Sequence, residues 1–466
     1  MPFKGSRLLV ACCLGAAAWA VSAADWSDPF HTREMAPPRP SPVQAGRGPE
    51  APCATALPAT PLTTVDVVDL ALCNNPQTRE VWANARAQAA LVGVAQSAWL
   101  PGLAGSATTG HNWSAGRETS QTTAALTLSW LLFDFGTRAA NVENARQLLA
   151  DSAATQDATV QQIFLAALQS YYAAQANRAA VDAAREAERA SHESFLAADA
   201  RYRIGVATPA DRLQAQTAWS QATLNRIRAE GETRNALGAL ANVMGFDAQQ
   251  PLALADFTAA VPEAAFERDV DALVAEARAR RPDLRAAEAQ VNAARAAVRA
   301  TRAGGLPTVS LSAGPTWQEV GGRSTSGGIL GLTVNVPLFS GFNTTYRVRN
   351  AEALADARDA QRERLRQQVA LYVWQAYQSL TTATQALKTS ADLVASAEAS
   401  ERMALGRYKA GVGSILDVLN AQSALAAARQ QRIQAGLDWN VFRATLAQTM
   451  GALDYGLLLP AAEGRK

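Results

Sequence analysis

The chain has 466 residues, of which 48% are hydrophobic and only 6% are aromatic. Alanine supplies much of the apolar content, which favours long, closely packed helices over a single thick core. Lys and Arg number 43 against 41 Asp and Glu, so the charge balance gives no electrostatic case for a nucleic-acid partner, and we expect none.

The N-terminus has the pattern of a secretory signal peptide, which we place at 1–23. Two basic residues come first, an apolar stretch follows, and Val21-Ser22-Ala23 offers a small-residue cleavage site. A lipoprotein signal ending at Cys12 is the alternative, although very few apolar residues would precede that cysteine. Residues 24–62 are rich in proline and are predicted to form an irregular linker.

Cleavage after Ala23 leaves two cysteines, Cys53 and Cys73, in an oxidising compartment. We predict a disulfide between them, which would fasten the proline-rich segment to the first helix. Two free, inert thiols are the alternative.

The remaining chain contains a tandem duplication. A shift of 206 residues, without gaps, superimposes many identical pairs, among them Leu100-Pro101 on Leu306-Pro307, Leu132-Phe133 on Leu338-Phe339 and Met244-Gly245 on Met450-Gly451. We therefore predict one repeat at 63–245 and a second at 270–451, with a linker at 246–269 and a tail at 452–466. Both repeats must then have equivalent roles in the architecture of the protein.

Each repeat is predicted to begin with a helix and to continue into two strands. In the first repeat, Asn75 suits an N-cap and Pro76 the first helical turn, and Pro101 ends the helix. The strands are predicted at about 103–113 and 124–133, and at about 309–317 and 328–339 in the second repeat. Polar segments at 114–123 and 318–327 are predicted to be water-facing loops.

The strands have one apolar face, as an outer-membrane strand requires. In the second strand, Leu126, Leu128 and Trp130 alternate with small polar residues. Four strands cannot close a barrel, so several copies must pool their hairpins; three copies would give twelve strands and two would give eight. A soluble sandwich of two hairpins is the alternative.

The strands are followed by a long helix in each repeat. No proline or glycine occurs between 138 and 201, which as one helix would span roughly 96 Å at 1.5 Å per residue. The helix before the strands and the helix after Pro209, placed end to end, would reach about the same length. Apolar residues recur along the long helix at coiled-coil-like spacing, namely Val160, Ile163, Phe164, Ala167, Leu168 and Tyr171.

These features together resemble the TolC family of outer-membrane efflux and secretion proteins, over about residues 62 to 455. The resemblance rests on the duplicated order helix, hairpin, helix, on Asn75-Pro76 and Arg281-Pro282, on Leu-Pro before and Leu-Phe after each hairpin, and on a repeated turn that begins with Arg-Tyr. It implies a mainly α-helical fold with a membrane β-barrel, in which a homotrimer builds a twelve-stranded β-barrel in outer-membrane lipid and a twelve-helix α-barrel through the periplasm.

The resemblance also implies partners but no chemistry. A periplasmic adaptor would join the duct to an inner-membrane transporter of the ABC type, and the exported protein would be the cargo. Neither a cofactor nor enzymatic activity is expected. The three histidines, His31, His111 and His192, are scattered and do not assemble a metal site or a nucleophile–base pair.

The repeated turn, which follows each long helix, is the candidate site. Gly205 and Gly411 suit left-handed C-caps, and with Val206 and Val412 they are the expected adaptor contacts. The resemblance assigns Tyr408 and Asp417, with Asn420 and the first-repeat counterparts Tyr202 and Asp211, to a gate at the periplasmic entrance. Asn420 stands where some members have an aspartate and Gly413 where they have an arginine, so we expect a weaker latch. Both aspartates also fit a capping box, which is the structural alternative.

The cargo class is left open by these motifs. The segment from Cys53 to Cys73, continuing to Arg79, resembles members that serve type I protein secretion. A duct of a small-molecule or drug efflux pump is the alternative. A periplasmic adaptor is the alternative from another class, but it predicts one hairpin and no duplicated strands.

Overall fold

The computed structural model describes residues 27–39, 57–58, 60–114, 116–255 and 269–453. The predicted signal peptide, Cys12, Cys53 and the tail beyond 453 lie outside these residues. No helix in the described part of the chain is long and apolar enough to cross a membrane.

The elements follow the predicted duplication. After a short helix α1 (Thr32–Met35), the first repeat contains α2 (Thr64–Asn74), α3 (Pro76–Ser97), β1 (Gly102–Ser114), β2 (Arg117–Phe133), α4 (Thr137–Arg203) and α5 (Pro209–Val243). The second contains α6 (Val270–Arg280), α7 (Pro282–Ala303), β3 (Thr308–Val320), β4 (Arg323–Asn335), α8 (Asn343–Lys409) and α9 (Ile415–Thr449). Each element of the second repeat begins 206 residues after its counterpart in the first.

The four strands form one antiparallel sheet in the order β1-β2-β3-β4. The ladder groups on the outer sides of β1 and β4 have no partner strand among the described residues. Because lipid cannot satisfy such groups, edges of this kind must be paired or covered wherever a sheet lies in a membrane.

The predicted loops between the strands are wrong. Most residues of 114–123 and 318–327 belong to the strands, which pair as far as Ser114 with Arg117 and Val320 with Arg323. The second hairpin turns on Gly321 and Gly322, whose φ angles are 56° and 82°, as a two-residue turn of the mirror-image type requires. Ser and Thr are common in loops but also pair well across a ladder, so a polar composition does not exclude a strand.

Strand β4 also ends earlier than predicted. It stops at Asn335 rather than near 339. Pro337 lacks the N–H that a ladder needs, and this explains why the pairing ends before it.

The long helices run beside pairs of shorter ones, as the lengths predicted. Asn75, at the start of α3, donates a hydrogen bond from Nδ2 to the carbonyl oxygen of Val243 at the end of α5 (3.0 Å). In the second repeat the guanidinium of Arg281 donates to the carbonyl of Thr449 (3.0 Å). Helix α4 packs against α3 and α5 of its own repeat and against α7 and α9 of the other, whereas α8 packs against α6, α7 and α9.

The core of the first repeat lies where α3 and α5 meet. Ile163, Phe164, Ala167, Leu168 and Tyr171 are buried there and Val160 packs against them, so the predicted coiled-coil-like positions are confirmed as core. Helices α2 and α6 were not predicted. Both helices are short, and the capping residues that mark their starts, such as the Thr63–Asp66 capping box, are easily overlooked in the sequence.

The N-terminal segment corrects the prediction of an irregular linker. Over residues 27–39 it lies along α3 and α4, and the carboxylate of Asp28 accepts hydrogen bonds from the backbone N–H groups of Thr32 (2.9 Å) and Arg33 (2.8 Å). The side chain of Thr32 fills the space over Gly93, where a Cβ would come within 2.8 Å of it. Local capping and one glycine thus give order to a stretch whose composition suggested none.

The structure describes one of the two cysteines of the predicted disulfide. Cys73 is disulfide-bonded and buried in α2. Because Cys53 lies outside the described residues, its pairing with Cys73 stays a prediction.

Candidate functional site at the tip turns

The two turns that follow α4 and α8 form the end of the molecule opposite the sheet, which we call the tip. Gly205 and Gly411 adopt φ angles of 82° and 78°. The N–H of Val206 donates to the carbonyl of Arg201 (3.0 Å), and the N–H of Val412 donates to that of Arg407 (3.1 Å). This pattern of bonds satisfies the last carbonyls of each long helix and reverses the chain.

Both tip aspartates cap the helix that leaves the turn. The carboxylate of Asp211 accepts from the backbone N–H (2.9 Å) and hydroxyl (2.8 Å) of Thr208, and that of Asp417 accepts from the N–H of Ser414 (3.3 Å). The capping box expected as the structural alternative is therefore present at both turns. Asp417 remains exposed, so capping does not prevent it from contacting another molecule.

Hydrogen bonds from Thr208 lower the pKa of the Asp211 carboxyl below its ordinary value. A group with a lowered pKa adds stability above its unfolded-state pKa and loses it as the pH falls through the folded-state pKa. We therefore expect the first turn of α5 to lose hydrogen-exchange protection on acidification. Asp211→Ala should show the loss already at neutral pH, at a local cost of about 1 kcal/mol.

The control for this prediction is Glu232→Ala, which removes an exposed carboxylate from the same helix. Protection of the first-turn amides should be unchanged in that variant. Equal protection in the parent and Asp211→Ala at neutral pH would contradict the capping role.

The structure joins the two turns through Arg201 and Tyr408. Nη1 of Arg201 donates to the carbonyl oxygen of Tyr408 (2.9 Å), and the guanidinium carbon lies 4.6 Å from the centroid of its ring. A cation near the last carbonyls of a helix and over an aromatic face is favourable on both counts. Tyr408 also packs in a small apolar cluster of the tip and is only 7% exposed, whereas its counterpart Tyr202 is 38% exposed.

The first turn contains a charged cluster that the sequence reasoning missed. The carboxylate of Asp199 lies 2.7 Å from the guanidinium groups of both Arg203 and Arg212. The spacing of Asp199 and Arg203 by four residues was an available signal, but Arg212 comes from the next helix. In the second repeat the positions of Asp199 and Arg212 hold Leu405 and Val418, so the two turns differ in polarity.

Three apolar residues of the tip are strongly exposed. Ile204, Val206 and Val412 are 73%, 65% and 69% exposed. Asn420 is exposed as well, and a Cβ at Gly413 would come within 3.0 Å of Arg407 and the backbone of Tyr408. An exposed apolar end with glycine turns can bind an apolar partner surface. The described residues contain no group of three or more His, Cys, Asp or Glu that could hold a metal ion.

The chain is similar to known proteins along most of its length. The family model described as outer membrane efflux protein matches residues 67–246 and 273–452. The chain is 32% identical to Protein CyaE of Bordetella pertussis, over 80% of each chain. It is 28% identical to the outer membrane efflux protein BepC of Brucella suis, over 82% of this chain and 83% of that one.

Two further relatives extend the comparison. The alkaline protease secretion protein AprF of Pseudomonas aeruginosa is 26% identical over 84% of this chain and 85% of its own. Among solved structures, the channel CusC superimposes with a TM-score of 0.75 at 20% identity, covering 83% of this chain and 92% of that one. This last likeness concerns the fold.

Proposed function

Since the chain belongs to the outer membrane efflux protein family, we propose that it is the outer-membrane duct of a type I protein secretion system. Members of this family are channels of the outer membrane whose tunnel extends into the periplasm, and the chain is not an enzyme. We call α4, α8 and the pairs of shorter helices beside them (α3 with α5, α7 with α9) the rods. The observation that supports a duct is a sheet at the end of these rods whose edge strands, β1 and β4, have no partner among the described residues.

The duct is a homotrimer in this proposal. One chain supplies four strands and, in cross-section, four helical rods, so three chains give a twelve-stranded barrel embedded in lipid and a twelve-rod tunnel. Strands β1 and β4 lie at the two opposite edges of the sheet and run antiparallel to each other, so β1 of one copy can pair with β4 of the next.

The tip turns are the proposed meeting point with the rest of the exporter. A periplasmic adaptor binds the apolar turns at Gly205, Val206, Gly411 and Val412, and links them to an inner-membrane transporter of the ABC type. In the gate, Tyr408 is fixed by Arg201, and the exposed Asp417 and Asn420, with Tyr202 and Asp211 of the other turn, face the entrance.

Protein cargo is favoured by two observations. The N-terminal segment through Arg79 resembles members that serve type I secretion, and AprF, a secretion protein for alkaline protease by name, matches 84% of this chain. The second candidate is small-molecule efflux, which is favoured by the efflux name of BepC.

Deletion of the chain from its native strain tests the cargo. We expect one large protein to disappear from the culture supernatant and to accumulate inside the cells, and to return when the full chain is supplied again. An unchanged supernatant together with increased sensitivity to small toxic compounds would overturn protein secretion and establish the efflux duct.

A further inference from the structure

We propose that the outermost part of the first hairpin binds sugar residues of the lipopolysaccharide that surrounds the protein in the outer membrane. The site lies on one face of β1 and β2 and consists of His111, Trp113, Glu118 and Ser120, which we call the ribbon cluster. The inference rests on the outer-membrane location of the chain. It goes beyond the proposed function, because it requires neither a particular cargo nor a particular number of copies.

The two faces of the sheet differ in polarity, and the strand register shows which residues share a face. Leu128 is paired with Leu103 on one side and with Ala313 on the other, so these side chains share a face with every second residue of their strands. Near the rods this face is apolar and carries Leu126, Leu128, Trp130, Leu311, Leu330 and Leu332. We call it the lipid-facing side, since an outer-membrane strand turns its apolar face to hydrocarbon.

The apolar part of the lipid-facing side ends well before the turn of the first hairpin. Ala107 and Ala124 are the last apolar pair of this hairpin on that side. The next pair, Thr109 with Thr122, places two hydroxyl oxygens 3.2 Å apart. Trp113 follows six residues after Ala107, which is roughly 20 Å along a strand and about 14 Å higher at a tilt of about 45°. Because the rods extend into the periplasm from the opposite end of the sheet, this hairpin end projects outwards from the cell.

The end of the first hairpin is a two-stranded ribbon, because the pairing of β2 with β3 stops at Gln121 and Val320. On its lipid-facing side, Trp113 lies directly opposite Glu118. The Nδ1 atom of His111 is 3.7 Å from the carboxylate of Glu118, and the ring centroids of His111 and Trp113 are 6.2 Å apart. Trp113 is 75% exposed, so its ring is accessible to a ligand.

The chemistry of the ribbon cluster suits a sugar ring. The C–H face of a sugar can stack on the exposed indole, while its hydroxyl groups bond to the carboxylate, the imidazole and the hydroxyl of Ser120, which lies opposite His111. In lipopolysaccharide the phosphates lie at the lipid surface and the sugars of the core lie above them. The carboxylate of Glu118 repels phosphate. Position and charge therefore both favour neutral sugars and amino sugars of the core.

The second hairpin does not repeat the ribbon cluster. The counterpart of Trp113, 206 residues later, is Glu319. The counterpart of His111 is Trp317, which is paired with Ala124 where the apolar part of the sheet ends. A tryptophan at that depth belongs to the aromatic girdle of a membrane barrel, whereas Trp113 lies above the girdle. The ribbon cluster is thus specific to the first hairpin and is not a result of the duplication.

Calorimetric titration of the purified full chain in detergent tests the proposal. The probe is the core oligosaccharide of the native strain's lipopolysaccharide, freed of lipid A. It should bind to the parent chain, and Trp113→Ala should weaken the binding about tenfold through loss of the stacking surface. Trp113→Phe keeps an aromatic ring and should lose less. The matched control is Asn112→Ala, which changes the adjacent residue on the opposite face of β1 and should bind as the parent.

A competition arm separates sugar from phosphate. Inorganic phosphate should not displace the core oligosaccharide, and displacement would overturn the proposal because the site would then recognise the lipid A phosphates. Absence of binding to the parent, or an equal loss in Trp113→Ala and Asn112→Ala, would overturn it as well.

A second measurement uses the unmodified chain, in case Trp113→Ala fails to assemble. The core oligosaccharide should protect Trp113 from oxidation by N-bromosuccinimide, as followed by peptide mass spectrometry. Unchanged oxidation of Trp113 would contradict the proposal. None of these outcomes bears on the cargo, which the deletion strain tests separately.

Discussion

Replacing Gly314 with alanine is expected to prevent assembly of the chain in the outer membrane. Gly314 lies in β3 beside a stretch of β2 where the pairing is interrupted, between the pairs Ala125 with Thr316 and Leu128 with Ala313. An added Cβ would lie 1.8 Å from the carbonyl oxygen of Leu126 and 2.9 Å from its carbonyl carbon. Both atoms belong to the backbone, so no side-chain rotation can relieve the clash.

The expected cost lies at or above the roughly 3 kcal/mol of ordinary overpacking, because the strands themselves must separate. The pairing of β2 with β3 is the one join between the two hairpins in the described sheet. Its ladder groups would lose their partners in an environment where lipid offers none. Even local separation therefore leaves two marginal hairpins in place of a sheet.

The measurement is the amount of heat-resistant oligomer in the outer-membrane fraction, compared with the parent chain. The matched control is Gly110→Ala in β1, where an added Cβ meets nothing within 4 Å. The control should assemble at the parental level. Equal assembly of Gly314→Ala would show that the two hairpins are not joined by the described pairing.

The parts of the fold that the sequence predicted are those set by periodic or repeated signals. The uninterrupted helix, the Asn-Pro helix start and the alternation of Leu126, Leu128 and Trp130 each depend on neighbouring residues alone. Because the sequence repeats after 206 residues, many of these signals occur twice, and each occurrence supports the other. These signals sufficed for rods, strands and turns, and they placed Gly205 and Gly411 at the left-handed positions.

The rest depended on contacts between distant parts of the chain. Tyr408 could be singled out only through the family resemblance, because Arg201, which contacts it, is more than two hundred residues away. Arg212 likewise completes the charge cluster of Asp199 from another helix. The order of residues 27–39 depends on the space over Gly93, which composition cannot reveal. The polar ends of the strands were not predictable from composition, because Ser and Thr occur both in loops and in paired strands.

The junction between sheet and rods offers the second large effect. Arg138, in the first turn of α4, is 5% exposed, and its guanidinium donates to the carboxylate of Asp134 (3.1 Å) and to the carbonyls of Ala98 and Leu132 (3.3 and 3.2 Å). It also lies 4.2 Å from the ring centroid of Trp99. One side chain thus ties the end of β2 and the end of α3 to the start of α4.

Arg138→Ala is expected to destabilise the assembled protein by about 3–5 kcal/mol, since it leaves Asp134 buried without its charge partner. The purified oligomer in detergent should dissociate or unfold at clearly lower urea concentration than the parent. Thr344→Ala is the matched control, because Thr344 occupies the equivalent position in the second repeat. There its hydroxyl lies 3.3 Å from that of Ser340 in an exposed pair, and its methyl group lies over Gly305. That variant should behave as the parent.

A double variant separates the two causes of the stability loss expected in Arg138→Ala. Asp134→Ala with Arg138→Ala removes both charges, so the penalty of the unpaired carboxylate disappears and part of the lost stability should return. The remaining deficit then measures the ties to Ala98, Leu132 and Trp99. If the double variant is no more stable than Arg138→Ala, the buried carboxylate contributes little. The junction of the first repeat would then be held by the bonds of Arg138 to the backbone and by its contact with Trp99.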